Sequence, residues 1–235
     1  MHIINNQLVV IGGQFINTYP LDLSSEPTTV SHGLGNGGLS RFGMAVTEND
    51  AYIIGGDFDV DGDGIEGAEK VFKWNLDNQT VDFVVNLPED RFGGRATIVN
   101  DKLYVFGGTT EFAASSPNNT IFIYDLINES ITTEYMNTAA EYTYVDKFQN
   151  LIYIAGNTRI FNANEEVIGF ETTLAVYNTE NNIYTDISHN LDLSGAATTI
   201  HGLSVFNNKL YLIFGDAQNT GEQFVQWSVM EVPIN

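Results

Sequence analysis

The sequence predicts an all-β domain assembled from five copies of one small antiparallel sheet. Three observations carry that expectation. An apolar segment closing in small residues recurs five times along the 235 residues. Short β-branched and aromatic runs alternate with Asn-, Asp- and Gly-rich turns, and no segment carries a convincing helical period.

The recurring segment reads Leu8-Val9-Val10-Ile11-Gly12-Gly13, Ala51-Tyr52-Ile53-Ile54-Gly55-Gly56 and Leu103-Tyr104-Val105-Phe106-Gly107-Gly108. Two looser copies follow, Leu151-Ile152-Tyr153-Ile154-Ala155-Gly156 and Leu210-Tyr211-Leu212-Ile213-Phe214-Gly215. Each is followed by an aromatic-bearing strand: Thr18-Tyr19-Pro20, Phe72-Lys73-Trp74, Ile123-Tyr124-Asp125, Val176-Tyr177-Asn178 and Val225-Gln226-Trp227. Two are preceded by a third marker, Arg41-Phe42-Gly43 and Arg91-Phe92-Gly93. Glu48-Asn49-Asp50, Asn100-Asp101-Lys102 and Asn207-Asn208-Lys209 have the composition of tight hairpins joining a first strand to a second. The second strands are apolar on both faces, as expected of a sheet covered on both sides. The closing glycines suit a position where a Cβ would crowd a neighbour or where φ is positive.

These three markers together resemble the kelch repeat, with an Arg-led first strand, a Tyr-containing second strand ending in Gly-Gly, and a Tyr or Trp on the third. The resemblance spans essentially the whole chain at about 47 residues per unit. It implies an all-β, kelch-type β-propeller of five blades, each of four antiparallel strands. The corresponding blades are 1–39, 40–89, 90–140, 141–196 and 197–235, forming one domain. The short stretch before Leu8 and the few residues after Val229 leave little for the outermost strands. A share in a larger chain or assembly, such as an adhesin or virion, is an alternative expectation.

Composition narrows the function classes. Nine basic residues against 30 acidic ones give a net charge of −21, which the phosphate backbone repels, so nucleic acid is not an expected partner. Zero Cys removes disulfides and thiolate chemistry. The longest apolar runs, such as Leu210–Phe214, are strand-sized, so no membrane insertion is expected. Met1–Asn6 has neither the basic start nor the apolar core of a signal peptide.

In a blade whose strands alternate direction, the loop between strands two and three shares a face with the link to the next blade. Four such loops are long: Asp57–Lys70, Thr109–Thr120, Asn157–Thr173 and Asp216–Glu222. Long loops on one side of a rigid scaffold are where binding residues concentrate. Arg41 and Arg91 begin first strands near that face and are candidate ligand-binding residues, with bracing of neighbouring loops as their structural alternative. Phe112, Phe161 and Phe170, carried by the long loops, are the candidate aromatic contacts. With so few bases in the chain, each arginine is expected to have a carboxylate partner.

One stretch has the chemistry of a metal loop. Asp57 to Glu69 holds six carboxylates (Asp57, Asp59, Asp61, Asp63, Glu66 and Glu69) in thirteen residues and no base. Two such charges about 4 Å apart repel by roughly 4 kcal/mol at an effective dielectric near 20. Alternating carboxylates followed by Gly64 make an oxygen-lined turn of the kind calcium takes. Asp59-x-Asp61-x-Asp63-Gly64 is similar to the opening of EF-hand, dockerin and propeller calcium loops, but Gly67 and Lys70 stand where those loops place later carboxylates. Calcium is the expected cofactor, and such a loop points towards the cell exterior or envelope.

Other chemistry is poorly supported. His2, His32, His189 and His201 show no metal-ligand spacing; His201 reads as a packing residue and His32 and His189 as loop residues. No Gly-x-Ser-x-Gly elbow occurs, and the glycines from Gly35 to Gly38 lack a surrounding βαβ unit. Kelch-fold radical copper enzymes need a Tyr–Cys crosslink, and the iron motif of specifier proteins is absent. No catalytic residue is therefore assigned. The expected function is binding of a protein or glycan through the long-loop face. A carbohydrate mutarotase-like enzyme drawing on Arg41, Arg91 and Glu141 is the enzymatic alternative.

Overall fold

A computed structural model describes residues 1–34, 39–58, 67–111, 116–187, 198–216 and 227–233. All regular structure among them is β. The first sheet holds β1 (His2–Ile4), β2 (Gln7–Gly12), β3 (Phe15–Pro20) and β4 (Thr28–Ser31). A two-residue strand, β5 (Leu39–Ser40), leads into the second sheet of β6 (Gly43–Val46), β7 (Asp50–Ile54), β9 (Lys70–Asn75) and β10 (Val81–Asn86); β5 pairs with β8 (Asp57–Phe58). The third contains β11 (Arg95–Val99), β12 (Lys102–Phe106), β13 (Asn118–Asp125) and β14 (Ser130–Ala140). The fourth contains β15 (Tyr142–Phe148), β16 (Leu151–Phe161), β17 (Val167–Asn178) and β18 (Ile183–Asp186). The fifth has three strands among the described residues: β19 (Thr198–Phe206), β20 (Lys209–Asp216) and β21 (Trp227–Pro233).

Apart from the β5–β8 pair, the sheets run in sequence order with antiparallel neighbours, the pattern of an up-and-down meander. First strands β6, β11, β15 and β19 contact one another in series, so they stand closest to the axis of a propeller. Among the described residues no helix is long and apolar enough to cross a membrane.

Alternation of side chains along each second and third strand explains the radial arrangement. On β12, Leu103 and Val105 pack towards the second sheet, whereas Tyr104 and Phe106 pack towards the fourth. On β7, Ala51 and Ile53 join the first sheet and Tyr52 and Ile54 the third. On β16, Ile152 and Ile154 face the third sheet and Tyr153 and Ala155 the fifth. The four apolar clusters are thus the four interfaces between consecutive blades. Full burial of one large apolar side chain contributes roughly 1.5–3 kcal/mol, and Trp74, Phe106, Phe122 and Tyr177 are all buried at these seams. Tyr177 also meets the rings of Tyr104 and Phe106 at 5.8 and 6.1 Å.

The turn face matches its turn chemistry. Asn5-Asn6, Asn100-Asp101 and Asn207-Asn208 link first to second strands with both residues at positive φ, the conformation of a type I′ hairpin. In the second sheet the turn is Thr47–Asn49 and Asp50 already belongs to β7, its amide donating to Thr47 Oγ1 at 3.1 Å. His32, read from sequence as a loop residue, does lie outside the strands, just after β4, and is buried there. The Leu34 amide donates to Nδ1 at 2.9 Å, so Nε2 carries the proton and donates to the Gly13 carbonyl at 2.7 Å.

This packing sets two expectations. A Cβ on Gly55, at φ +58°, would stand 2.2 Å from the Arg91 carbonyl oxygen, whereas one on Gly12 would meet nothing within 4 Å. Gly55→Ala is expected to cost at least about 2 kcal/mol in urea unfolding, and Gly12→Ala to stay within about 0.5 kcal/mol. Near the axis, burial, then the adjacent chain-start ammonium, lowers the His2 pKa from 6.5 to about 4, with Arg95 in the same direction and Asp146 opposing. The unfolded chain then binds a proton that the folded one refuses, so stability present above pH 6.5 is lost as pH falls towards 4. The loss is at most about 3 kcal/mol, and His2→Gln should flatten that part of the stability–pH curve.

Candidate functional site

The loop face is where the second-to-third strand connections emerge. Strand register there revises the sequence reading of the Arg-Phe-Gly pair. Gly43 pairs with Ile54 and Ser40 with Asp57, whereas Arg95 pairs with Phe106 and Phe92 with Thr109. Ile54-Gly55-Gly56 and Phe106-Gly107-Gly108 are equivalent, so Arg41 occupies the slot of Gly93, not that of Arg91. Both residues are left-handed, at φ +53° and +73°, and the Gly93 amide donates to the Arg41 carbonyl at 2.7 Å. Tyr142 pairs with Asn157 and Thr143 with Gly156, which puts Glu141 immediately before β15, the first strand of the next blade.

Arg91 and Glu141 carry opposite charges shortly before the first strands of successive blades, and each is only 1% exposed. Arg91 Nη2 donates to Glu89 Oε1 at 2.9 Å and to Thr120 Oγ1 at 2.5 Å, and its guanidinium lies 4.5 Å over the Phe122 ring. Its main chain accepts from the Gly56 amide and donates to the Ala68 carbonyl, so it braces blades two and three. Burial lowers its pKa, against the pull of Glu89 and Asp90. Glu89 is also partly buried, which raises its pKa, but Asn118, Arg91 and Thr120 together hold it below the usual range.

Glu141 Oε2 accepts from Arg159 Nε at 2.6 Å, and its Oε1 has no hydrogen-bond partner among the described residues. Arg159, which the repeat pattern does not single out, lies on β16 with its guanidinium 5.3 Å from the Phe161 ring centre. Arg41, Phe92, Gly93, Thr109, Glu141, Tyr142 and Arg159 enclose a cavity of about 10 Å³, room for roughly one water-sized group. Arg41 is exposed at its edge.

The segment Asn157–Thr173 is not a loop. Residues 157–161 continue β16 and 167–173 belong to β17, with Thr158 opposite Glu171 and Arg159 opposite Phe170. The result is a two-stranded arm rising from blade four. Asn162 folds its tip: its Oδ1 accepts from the Asn164 and Glu166 amides at 2.9 and 3.0 Å, and its Nδ2 donates to Glu166 Oε2 at 2.8 Å. The base is pinned. Asn157 exchanges two hydrogen bonds with the main chain of Ile200, and Thr158 Oγ1 donates to the Ala139 carbonyl. Phe161 and Phe170 are half-buried in the arm, while Ile160, Val167 and Ile168 are 44, 46 and 53% exposed.

Other sequence candidates fall elsewhere. Phe112, Asp59, Asp61, Asp63 and Glu66 lie outside the described residues, as do His189 and most of the Asp216–Glu222 segment. Asp57 begins β8, and its Oδ1 is buried without a hydrogen-bond partner among the described residues. Asp90 is raised by burial first, then by the charge of Glu69 and a hydrogen bond with it. Among the described residues no group of three or more His, Cys, Asp or Glu side chains is arranged to hold a metal. Arg95 departs from the expected carboxylate pairing: its Nη1 donates to the Phe42 and Gly94 carbonyls, each at 3.2 Å.

The family described as Kelch motif matches residues 90–130, which span β11, β12 and β13 of blade three. No curated protein matches the chain. The matched segment contains Arg91-Phe92-Gly93, the Gly107-Gly108 pair and Tyr124, and the other sheets repeat its meander around a common axis. The chain is a kelch-repeat β-propeller.

Proposed function

We propose that this propeller is a protein-interaction module that binds through its loop face, with the arm of residues 157–173 as the principal contact. The kelch fold fits such a module. The observation that carries the assignment is the arm's tip, where Ile160, Val167 and Ile168 are held in the open by a hydrogen-bonded ladder. Exposed aliphatic residues on a rigid support lose little entropy on binding and form the apolar centre of an interface. An aliphatic tip favours a protein partner over a glycan, which would call for polar groups and open aromatic faces.

A photo-crosslinking residue at Ala163 is expected to capture one partner saturably, and Ile160→Asp/Ile168→Asp to reduce that capture at least about tenfold, as buried anchors do. The same crosslinker at Asn208, on the turn face, serves as the comparison. Equal capture from both faces, or capture indifferent to the double substitution, overturns the reading.

We also propose that the acidic segment from Asp57 to Glu69 holds calcium. Support comes from its two described ends. The buried, unpartnered Asp57 Oδ1 and the Glu69–Asp90 contact are both arrangements that a divalent cation would relieve. Calcium at a hundredfold excess over Kd would stabilise the fold by about 2.7 kcal/mol. A rise of several degrees in Tm, reversed by chelator and absent in Asp57→Asn/Glu69→Gln, is the expected result; an unchanged Tm removes the site.

A further inference from the structure

The cavity at the foot of the arm has a chemistry that the exposed tip does not explain. Glu141 is buried beneath it with one oxygen bonded to Arg159 and the other without a partner among the described residues. A buried carboxylate oxygen left unpaired is costly, so the position calls for a donor. Arg159 spends only Nε on Glu141, and its Nη groups make no hydrogen bond among the described residues, so the same position also offers a donor that seeks an acceptor. The lining decides between ligand charges. An ammonium group would sit beside two guanidinium groups, Arg41 and Arg159, and a carboxylate would lie beside that of Glu141. Either like-charge approach is unfavourable in a partly desolvated site. What remains is a neutral group that donates and accepts at once and is no larger than water, and a hydroxyl meets all three conditions.

We propose that this cavity seats a single aliphatic hydroxyl of the partner protein, from a serine or threonine side chain, which donates to Glu141 Oε1 and accepts from Arg159. The assignment rests on the protein-binding reading of the arm, whose base the cavity adjoins through Arg159. The arm supplies apolar contact, and the cavity supplies selectivity. A site built around paired polar groups rejects a ligand lacking the hydroxyl more strongly than an apolar pocket rejects a missing methyl group. Glu141 and Arg159 are thus specificity residues rather than the source of most of the affinity.

The experiment uses small probes on the whole chain. It has four arginines (Arg41, Arg91, Arg95 and Arg159), so their Nε–H resonances are few and can be assigned by substitution. N-acetyl-threonine-N′-methylamide is expected to shift the Arg159 Nε–H signal saturably. The valine analogue, equal in shape but without the hydroxyl, should leave it in place. Glu141→Gln should raise the titration midpoint at least tenfold. In Arg159→Lys, which removes that reporter and leaves Glu141 in place, the titration is followed at the Tyr142 amide and its midpoint should rise likewise. The amide spectrum reports whether each variant remains folded. Equal shifts from the threonine and valine probes overturn the proposal, since they indicate apolar contact alone. A shift from methyl glucoside but not from threonine overturns it in favour of a glycan. No shift from any probe overturns it in favour of a cavity that takes only water. Ile160→Asp/Ile168→Asp should not alter the titration. A failed titration with arm crosslinking intact therefore rejects the cavity assignment alone, and lost crosslinking specificity with an intact titration rejects the reading of the arm.

Discussion

A sheet with two apolar faces is unstable in water until both are covered, and that requirement organises this protein. β7, β12 and β16 each send alternate side chains to opposite neighbours, so no blade owns its core. The four clusters are shared between consecutive sheets, which forces a radial stack instead of a two-layer sandwich. Close approach has a local consequence at Gly55 and Gly107, where a Cβ would collide with the next blade at 2.2 and 2.4 Å. Gly12 and Gly13 share the same sequence pattern, yet a Cβ on either would have no neighbour within 4 Å. The same dipeptide therefore answers to contact in two blades and to turn geometry in the first.

The loop face inherits its order from these seams. Arg91 and Glu141 both lie shortly before the first strands of successive blades, and their surroundings divide their roles. Arg91 is covered by Phe122 and tied to Glu89 and Thr120, so it joins blades. Glu141 is bonded on one side only and belongs to the lining of a cavity. In a chain with nine basic residues and 30 acidic ones, placing Arg41 and Arg159 around one buried carboxylate makes a local exception to an otherwise anionic surface. The arm beside it is anchored to blade five through Asn157 and to β14 of blade three through Thr158, so its apolar tip is presented on a stiff support.

Much of the fold was legible in particular residues. The apolar segments ending at Gly13, Gly56, Gly108, Gly156 and Gly215 are second strands in every sheet, and Asn100-Asp101 and Asn207-Asn208 make the tight turns their chemistry suggests. The site was less legible. Arg41-Phe42-Gly43 and Arg91-Phe92-Gly93 look alike in sequence yet differ by two positions in register, because pairing with the second strand sets the count and the tripeptide does not. The arm does carry a signal in its composition: Asn162 to Glu166 is turn-forming between two runs with strand character, Thr158–Phe161 and Val167–Phe170. The burial of His32 carried no such signal, since Leu34 is two residues away but Gly13 is brought to it only by the chain path through β3 and β4.

Local composition by itself determined the strands, the turns and the repetition, because side-chain alternation and the backbone freedom of Asn and Gly act over a few residues. It also determined the anionic character and the absence of thiol chemistry. Only the tertiary structure decided which charges meet. Glu141 and Arg159 are 18 residues apart and in contact, whereas Arg41 and Arg91 share a motif and not a position. Electrostatic and hydrogen-bond partners depend on distances of a few ångströms across blades, and those distances exist only once the shared apolar faces have closed.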